Sequence, residues 1–185
     1  MKYIDKILQL KKTVFKQQDL SLILGITNEN TLRNIVWRLI KSWILLNPYK
    51  GIYTLPNYDI FEFASKIKKN SYISFETVLR KEWIVFQEYW EIVFLASNDT
   101  REKTAAGYTF KCIKIKDDIL YNPLGIIKKN WYAIATPERA ICDRIYSSKN
   151  YYFDNLDDID KEKLQEISQI YNKRVILEVN KLINA

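Results

Sequence analysis

The sequence predicts an α+β protein in two parts: an N-terminal winged helix-turn-helix over residues 1–57, followed by a mixed α+β C-terminal domain over 58–185. Three observations carry this expectation. Two amphipathic segments meet at the three-residue turn Gly25-Ile26-Thr27. A strand–turn–strand pattern follows the second segment directly. Positive charge gathers in the same stretch: residues 1–57 hold nine Lys and Arg against three acids, whereas the other 128 residues hold 20 against 19.

The elements follow in order. Ile4, Ile7, Leu8 and Leu10 predict a short amphipathic first helix, and "TVF" leads on from it. In KQQDLSLILGI, Leu20, Ile23 and Leu24 share one face. Gly25 suits the stop, because only glycine enters the left-handed region at low cost. The Thr27 side-chain oxygen can cap the next helix, NENTLRNIVWRLIKS. There Leu32, Ile35, Val36, Leu39 and Trp43 fall on one arc, with Ile40 at its edge. A strand is expected over Trp43 to Leu46, a turn over Asn47-Pro48-Tyr49-Lys50-Gly51, and a second strand over Ile52 to Leu55. A hairpin directly after the second helix of such a pair is a wing.

"PNYD" reads as the linker, and DIFEFASKIKK as an amphipathic helix through Ile60, Phe63, Ala64 and Ile67. "SYISFETVLRKEW" predicts a short strand, then a helix capped by Ser74. WEIVFLAS has the apolar density of a buried strand. "GYTFKCIKIK" alternates, with a one-step slip near Cys112 that suggests a bulge. "WYAIAT" is a further strand; Thr136 and Pro137 then open the helix PERAICDRIY. The tail from Leu156 to Ile183 reads as helical, with acids early and bases late.

Composition bounds the function. A chain of 185 residues, 48 % apolar, can build a core. No apolar run reaches the roughly 18–20 residues that span a bilayer, and the charged start MKYIDKILQLKK lacks a signal-peptide core. Cys112 and Cys142 match no metal or disulfide spacing. The expectation is a cytoplasmic chain with reduced thiols and no membrane partner. AT-rich coding would raise Lys throughout, but it does not explain why acids are scarce only at the front. A basic N-terminal module facing a polyanion does.

Catalysis is not expected. The chain has no histidine, the commonest general base near neutral pH, and its four glycines are too scattered for a phosphate loop. No metal or cofactor is expected either. "NDTREK" offers Asp99, Glu102 and Lys103, but Glu102 and Lys103 are neighbours and fall on opposite faces of a strand. "DDIDKEK" suits the start of a helix.

The order of segments resembles the abortive-infection, AbiE-type family of type IV antitoxins and transcriptional regulators. The resemblance is carried by a wing ending in "KGIYTL", by "YISFETVLRKEWIV", by "EIVFLAS" running into "NDTREKTAAGYTFKCIKI", and by "YAIATPERAICDRIY". It covers nearly the whole chain, and "YISFETVL" and "IATPERAICDRIY" are its most specific pieces. Ser42-Trp43 departs from the loose Gly-Trp/Leu that often closes the recognition helix. The resemblance implies a repressor that binds repeats in its own promoter through the N-terminal domain. It also implies a C-terminal domain that counters a nucleotidyltransferase toxin, without a stable complex between them. Two other readings stay open: a winged-helix regulator with a sensor domain, and a carboxylate nuclease using Asp99 and Glu102.

For DNA, the N-terminal half of a recognition helix meets base edges in the major groove. The candidates are Asn28, Asn30, Thr31, Arg33, Asn34 and Arg38: asparagine can read adenine, and arginine guanine. Lys41, the wing residues Tyr49 and Lys50, and Lys11, Lys12 or Lys16 would hold phosphates. A second basic set, Arg101, Lys103, Lys111, Lys114 and Lys116, is either a solvated sheet face or a surface toward the toxin, its substrate or more DNA. One residue breaks the pattern. In "RNIVWRLIK", Trp37 lies on the polar side, either against the DNA backbone or packed on another part of the chain.

Overall fold

The computed structural model describes residues 2–87 and 91–184, which form two units, 1–67 and 68–185. The fold is mixed α+β. Among the described residues, no helix is long and apolar enough to cross a membrane.

The first unit runs α1 (Lys2–Leu8), β1 (Val14–Lys16), α2 (Gln17–Leu24), α3 (Glu29–Lys41), β2 (Leu46–Tyr49), β3 (Ile52–Thr54) and α4 (Ile60–Ile67). Strand β1 goes beyond the sequence expectation. "TVF" is too short to show a period, yet Val14 and Phe15 are fully buried. β1 pairs antiparallel with β3, which lies at the centre of a three-stranded sheet with β2 on its other edge. Ile7, Phe15, Leu20, Leu24, Leu32, Val36, Leu39 and Leu45 form one core. Leu8 and Leu10, expected on the buried face of the first helix, are exposed, because the helix ends before a second apolar turn can form.

The caps explain where α2 and α3 begin and end. Gly25 takes a left-handed φ of +68°. Its N–H donates to the Leu22 carbonyl, and the Ile26 N–H donates to that of Ser21 at 3.0 Å. That double bond is the glycine stop that the sequence predicts. The N-cap of α3 is Asn28 rather than Thr27: the Asn28 side-chain oxygen Oδ1 accepts the Thr31 N–H at 3.0 Å. α3 stops at Lys41, two residues before Trp43. Trp43 takes a φ of +57°, its N–H donates to Ile40, and the Ile44 N–H donates to Leu39. This left-handed step swings Trp43 outward, 77 % exposed, and drives Leu45 into the core. The expected place of Trp43 on the buried arc is therefore corrected.

The first strand of the hairpin starts three residues late, and the second starts at Ile52 as expected. β2 begins at Leu46 rather than Trp43, and the turn shrinks to Lys50-Gly51. β2 pairs with β3 at Leu46↔Thr54 and Tyr49↔Ile52, so one extra residue on β2 forms a bulge. The Asn47 amide fixes it, donating to the Tyr49 carbonyl at 3.0 Å and the Ile52 carbonyl at 2.8 Å. Pro48 is tolerated because β2 is an edge strand.

This unit also includes α4 and does not end at 57. Glu62 is buried, and one carboxylate oxygen accepts both the Thr13 N–H at 2.8 Å and the Thr13 hydroxyl at 2.7 Å. Those bonds fasten α4 to the start of β1.

The second unit runs β4 (Tyr72–Ile73), α5 (Glu76–Lys81), β5 (Ile92–Ser97), β6 (Arg101–Ala105), β7 (Tyr108–Lys114), α6 (Asp117–Leu120), β8 (Ile126–Lys129), β9 (Tyr132–Ala135), α7 (Pro137–Ser147), α8 (Lys161–Ser168) and α9 (Lys173–Asn184). The sheet order is β6-β7-β5-β4-β9-β8, with β5 and β7 parallel and β4 and β9 parallel. β5 is buried along nearly its whole length, as its composition predicts; Trp90, at the start of the expected strand, lies outside the described residues. No slip occurs at Cys112: β5 and β7 stay in register from Ile92↔Thr109 to Ser97↔Lys114. The apolar pair Cys112 and Ile113 is explained by sheet packing on both faces of β7 rather than by a bulge.

Thr136 caps α7, accepting the Arg139 N–H at 3.3 Å. Ser74 does not cap α5. Phe75 holds the cap position, and the Ser74 hydroxyl reaches α7 instead. The C-terminal tail is helical as expected, in two helices, and Asp160 caps the first of them. Gly125 admits no side chain: its φ is +72°, and a Cβ would lie 2.8 Å from both Arg139 and Ile167.

Candidate nucleic-acid interface

α3 is sorted cleanly by its 3.6-residue period. Leu32, Val36 and Leu39 are buried, while Asn30, Thr31, Arg33, Asn34, Trp37, Arg38 and Lys41 are all exposed. The exposed arc therefore carries three cations, two carboxamides and one indole, with Glu29 at the helix start as the one acid of α3. Asn28 is also exposed, but its carbonyl oxygen is engaged by Thr31, N–H and hydroxyl alike. Of its amide, the NH2 end remains for another partner.

Two hollows flank Arg33. One, of about 860 Å³, lies along the starts of α2 and α3 and reaches Gly51 at the hairpin turn; Gln17, Gln18 and Ser21 line it. The other, of about 190 Å³, lies between α3 and the hairpin and is lined by Trp37, Asn47 and Tyr53 among others. Gln17 and Gln18 are not among the residues that the sequence singles out. The polar run "KQQD" at the start of α2 is the one signal for them. Lys50 is exposed at the hairpin turn, and Tyr49 is half-buried beside it.

Trp37 is 57 % exposed, and the Lys41 ammonium lies 5.0 Å from the centre of its ring. Such a cation over an indole face is worth about 0.5–1 kcal/mol at an exposed site. The ring is thus held on the polar arc and does not enter the core of its own unit.

The three N-terminal lysines divide. Lys11 is exposed and Lys16 half-buried. Lys12 is buried, and its ammonium lies 3.1 Å from the Asp19 carboxylate. Its expected phosphate contact is corrected: the charge is spent inside the unit. Lys66 approaches the same carboxylate at 3.6 Å. Burial alone would raise the Asp19 carboxyl. The Lys16 N–H bond and the Lys12 and Lys66 ammonium groups outweigh burial and hold it below the usual carboxylate range.

Arg101, Lys103, Lys111 and Lys114 of the second basic set lie on a hairpin, β6 with β7, at one edge of the sheet, and Lys116 follows it. Cross-strand partners share a face. Arg101 lies opposite Cys112 and Lys103 opposite Phe110, whereas Lys111 lies opposite Glu102 on the other face. Acids offset part of the charge: Arg101 pairs with Asp99 at 3.1 Å and Lys111 with Glu102 at 3.7 Å. Lys114 and Lys116 are exposed. The five bases do not share one uniformly basic face. Asp99 also pairs with Lys68 at 2.8 Å, so both carboxylates of "NDTREK" are engaged by cations.

The motif residues of the second unit meet in its interior. The Asp143 carboxylate accepts the hydroxyls of Tyr72 at 3.1 Å, Ser74 at 2.6 Å and Tyr171 at 2.6 Å. Arg139 lies 3.5 Å from Asp143, and both side chains are fully buried. The Arg139 guanidinium also donates to the Tyr72 hydroxyl and to the carbonyls of Ile119 and Leu124. Glu76 pairs with Arg144 at 3.2 Å. "YISFETVL" and "PERAICDRIY" therefore contribute partners to each other.

No family model matches the chain, and no curated protein matches it. Among solved structures, the crystal structure of the RV2827C protein from Mycobacterium tuberculosis is similar, with a TM-score of 0.57 and 10 % identity over 98 % of this chain and 74 % of that one. At this identity the likeness extends to the fold alone.

Proposed function

We propose that the first unit is a winged-helix DNA-binding domain, and that the chain is an antitoxin of the type IV class that represses its own operon. The observation that carries the DNA reading is the exposed arc of α3: Arg33, Arg38 and Lys41 stand with Asn30 and Asn34, and Glu29, one turn before Arg33, is the one acid of the helix. Helix, strand, helix, helix, hairpin is an order that sets such an arc outward between the turn and a wing. Asn30, Asn34 and Arg33 would read bases, while Lys41, Lys50 and Lys11 would hold phosphates.

The antitoxin part rests on the resemblance of the second unit's segments, with a nucleotidyltransferase toxin as the functional partner. The most specific of those segments are spent on the buried Arg139–Asp143 network, so they maintain the domain rather than face a partner. Co-expression with the product of the adjoining gene tests the proposal. Rescue of growth by the full chain and by residues 68–185 alone is expected; toxicity that the full chain does not relieve would refute the antitoxin reading. Charge reversal at Arg101 and Lys103 tests that edge of the sheet: unchanged rescue removes it from the function.

A further inference from the structure

We propose that Trp37 is a specificity residue that reads the 5-methyl group of a pyrimidine in the major groove; this rests on the winged-helix reading of the first unit. At 100° per residue, Asn30, Arg33 and Lys41 fall within about 40° of Trp37 and Asn34 within about 60°, so the indole stands on the exposed arc, toward its Arg33 edge. The core residues Leu32 and Leu39 lie across the helix from it. The indole is 57 % exposed, so much of its apolar face is left for a partner to cover, and covering it would add free energy.

The flanking charges indicate which partner. Arg33 stands one turn before Trp37 and Lys41 one turn after, so the ring is presented between two cations. The Lys41 ammonium, 5.0 Å from the ring centre, holds the indole against the helix. With Arg33 on a base edge one turn before it and Lys41 on a phosphate one turn after, the ring would face the base edges between them. The major groove is lined with hydrogen-bond donors and acceptors, which an indole face cannot read. Its one apolar feature is the C5-methyl group of thymine, which 5-methylcytosine also carries.

The test uses the full chain and a duplex covering the DNA immediately upstream of its own coding region. Each thymine is replaced in turn by deoxyuridine, which removes the methyl group and leaves the pairing intact. At one or two positions wild type should weaken about fourfold, the share of one buried methyl group. Trp37→Ala should bind the thymine and deoxyuridine duplexes alike, and Trp37→Phe should keep part of the preference. Cytosine and 5-methylcytosine placed at the sensitive position separate the two sources of the methyl group. Because Trp37 lies outside the core, both variants should retain the circular dichroism and unfolding midpoint of wild type. If wild type binds the duplex no better than a scrambled one, the DNA-binding reading fails and this proposal with it. If wild type binds specifically but no deoxyuridine position matters, only the Trp37 proposal fails. It fails likewise if Trp37→Ala keeps the methyl preference, or loses affinity equally for every duplex, which would place the ring on the sugar–phosphate backbone.

Discussion

The Ser74 hydroxyl donates to Asp143 at 2.6 Å, joining strand β4 to helix α7 inside the second unit. The residues sit 69 positions apart, and both are fully buried. Through Asp143 the bond extends to Tyr72, Tyr171 and Arg139, so one carboxylate gathers three hydroxyls and a guanidinium.

Removing one member of this set should therefore cost far more than its own bond. Asp143→Ala leaves a buried Arg139 without its counter-charge, and a loss of about 3–5 kcal/mol is expected for the second unit. Replacing Arg139 and Asp143 together with apolar residues should cost clearly less. Urea unfolding of the single and paired variants checks this; a paired loss equal to the sum of the two single losses would mean that the pair is not coupled.

Asp19 gives the first unit an acid-sensitive contribution to stability. Its folded carboxyl lies below the usual range, whereas in the unfolded chain it returns to about 3.9. The unfolded state therefore binds the proton more readily. The contribution is fully present above about pH 4 and is lost as pH falls through the folded value. Asp19→Asn should flatten the fall in urea midpoint between about pH 4 and 2 and cost about 1 kcal/mol at pH 7, from the lost charge pairing with Lys12 and Lys66, since the asparagine oxygen can still accept the Lys16 N–H. A slope identical to wild type would contradict this.

Trp43 occupies a left-handed position that glycine fills without strain. Its side chain is mostly in water, so little packing would be lost on its removal. Trp43→Gly should stabilise the first unit by about 1 kcal/mol, read as a raised melting temperature. A lowered one would show that the indole packs against something that sustains the fold.

Both thiols should be inert in the native chain. Burial pushes the Cys112 thiol up and the Cys142 thiol far up, which removes the reactive thiolate. Labelling with a thiol reagent at pH 8 should follow unfolding; reaction of Cys142 within seconds in the native state would contradict its burial.

The period of the sequence makes much of this legible, because α3 and β5 each repeat one rule over enough residues to show it. The sorting of α3 into Leu32, Val36 and Leu39 against Arg33, Asn34 and Arg38 follows from spacing alone. Boundaries are less legible, because they depend on single hydrogen bonds: Asn28 rather than Thr27 caps α3, and Asn47 moves the hairpin. β1 stays hidden, since three residues show no period and Val14 finds its partner Thr54 far along the chain on β3. Lys12 and the second basic set show a different limit. Counting charge cannot reveal that Asp19 or Asp99 already holds a cation.

The central claim is that the exposed arc of α3 reads DNA, and Arg33 tests it most directly. Titrations of wild type, Arg33→Ala and Lys50→Ala against the upstream duplex and a scrambled one, across a salt series, compare a base contact with a phosphate contact. Arg33→Ala should lose about 1–3 kcal/mol on the specific duplex and little on the scrambled one; Lys50→Ala should weaken both alike and reduce the salt slope by about one. Unchanged affinity for the specific duplex in both variants would contradict the claim.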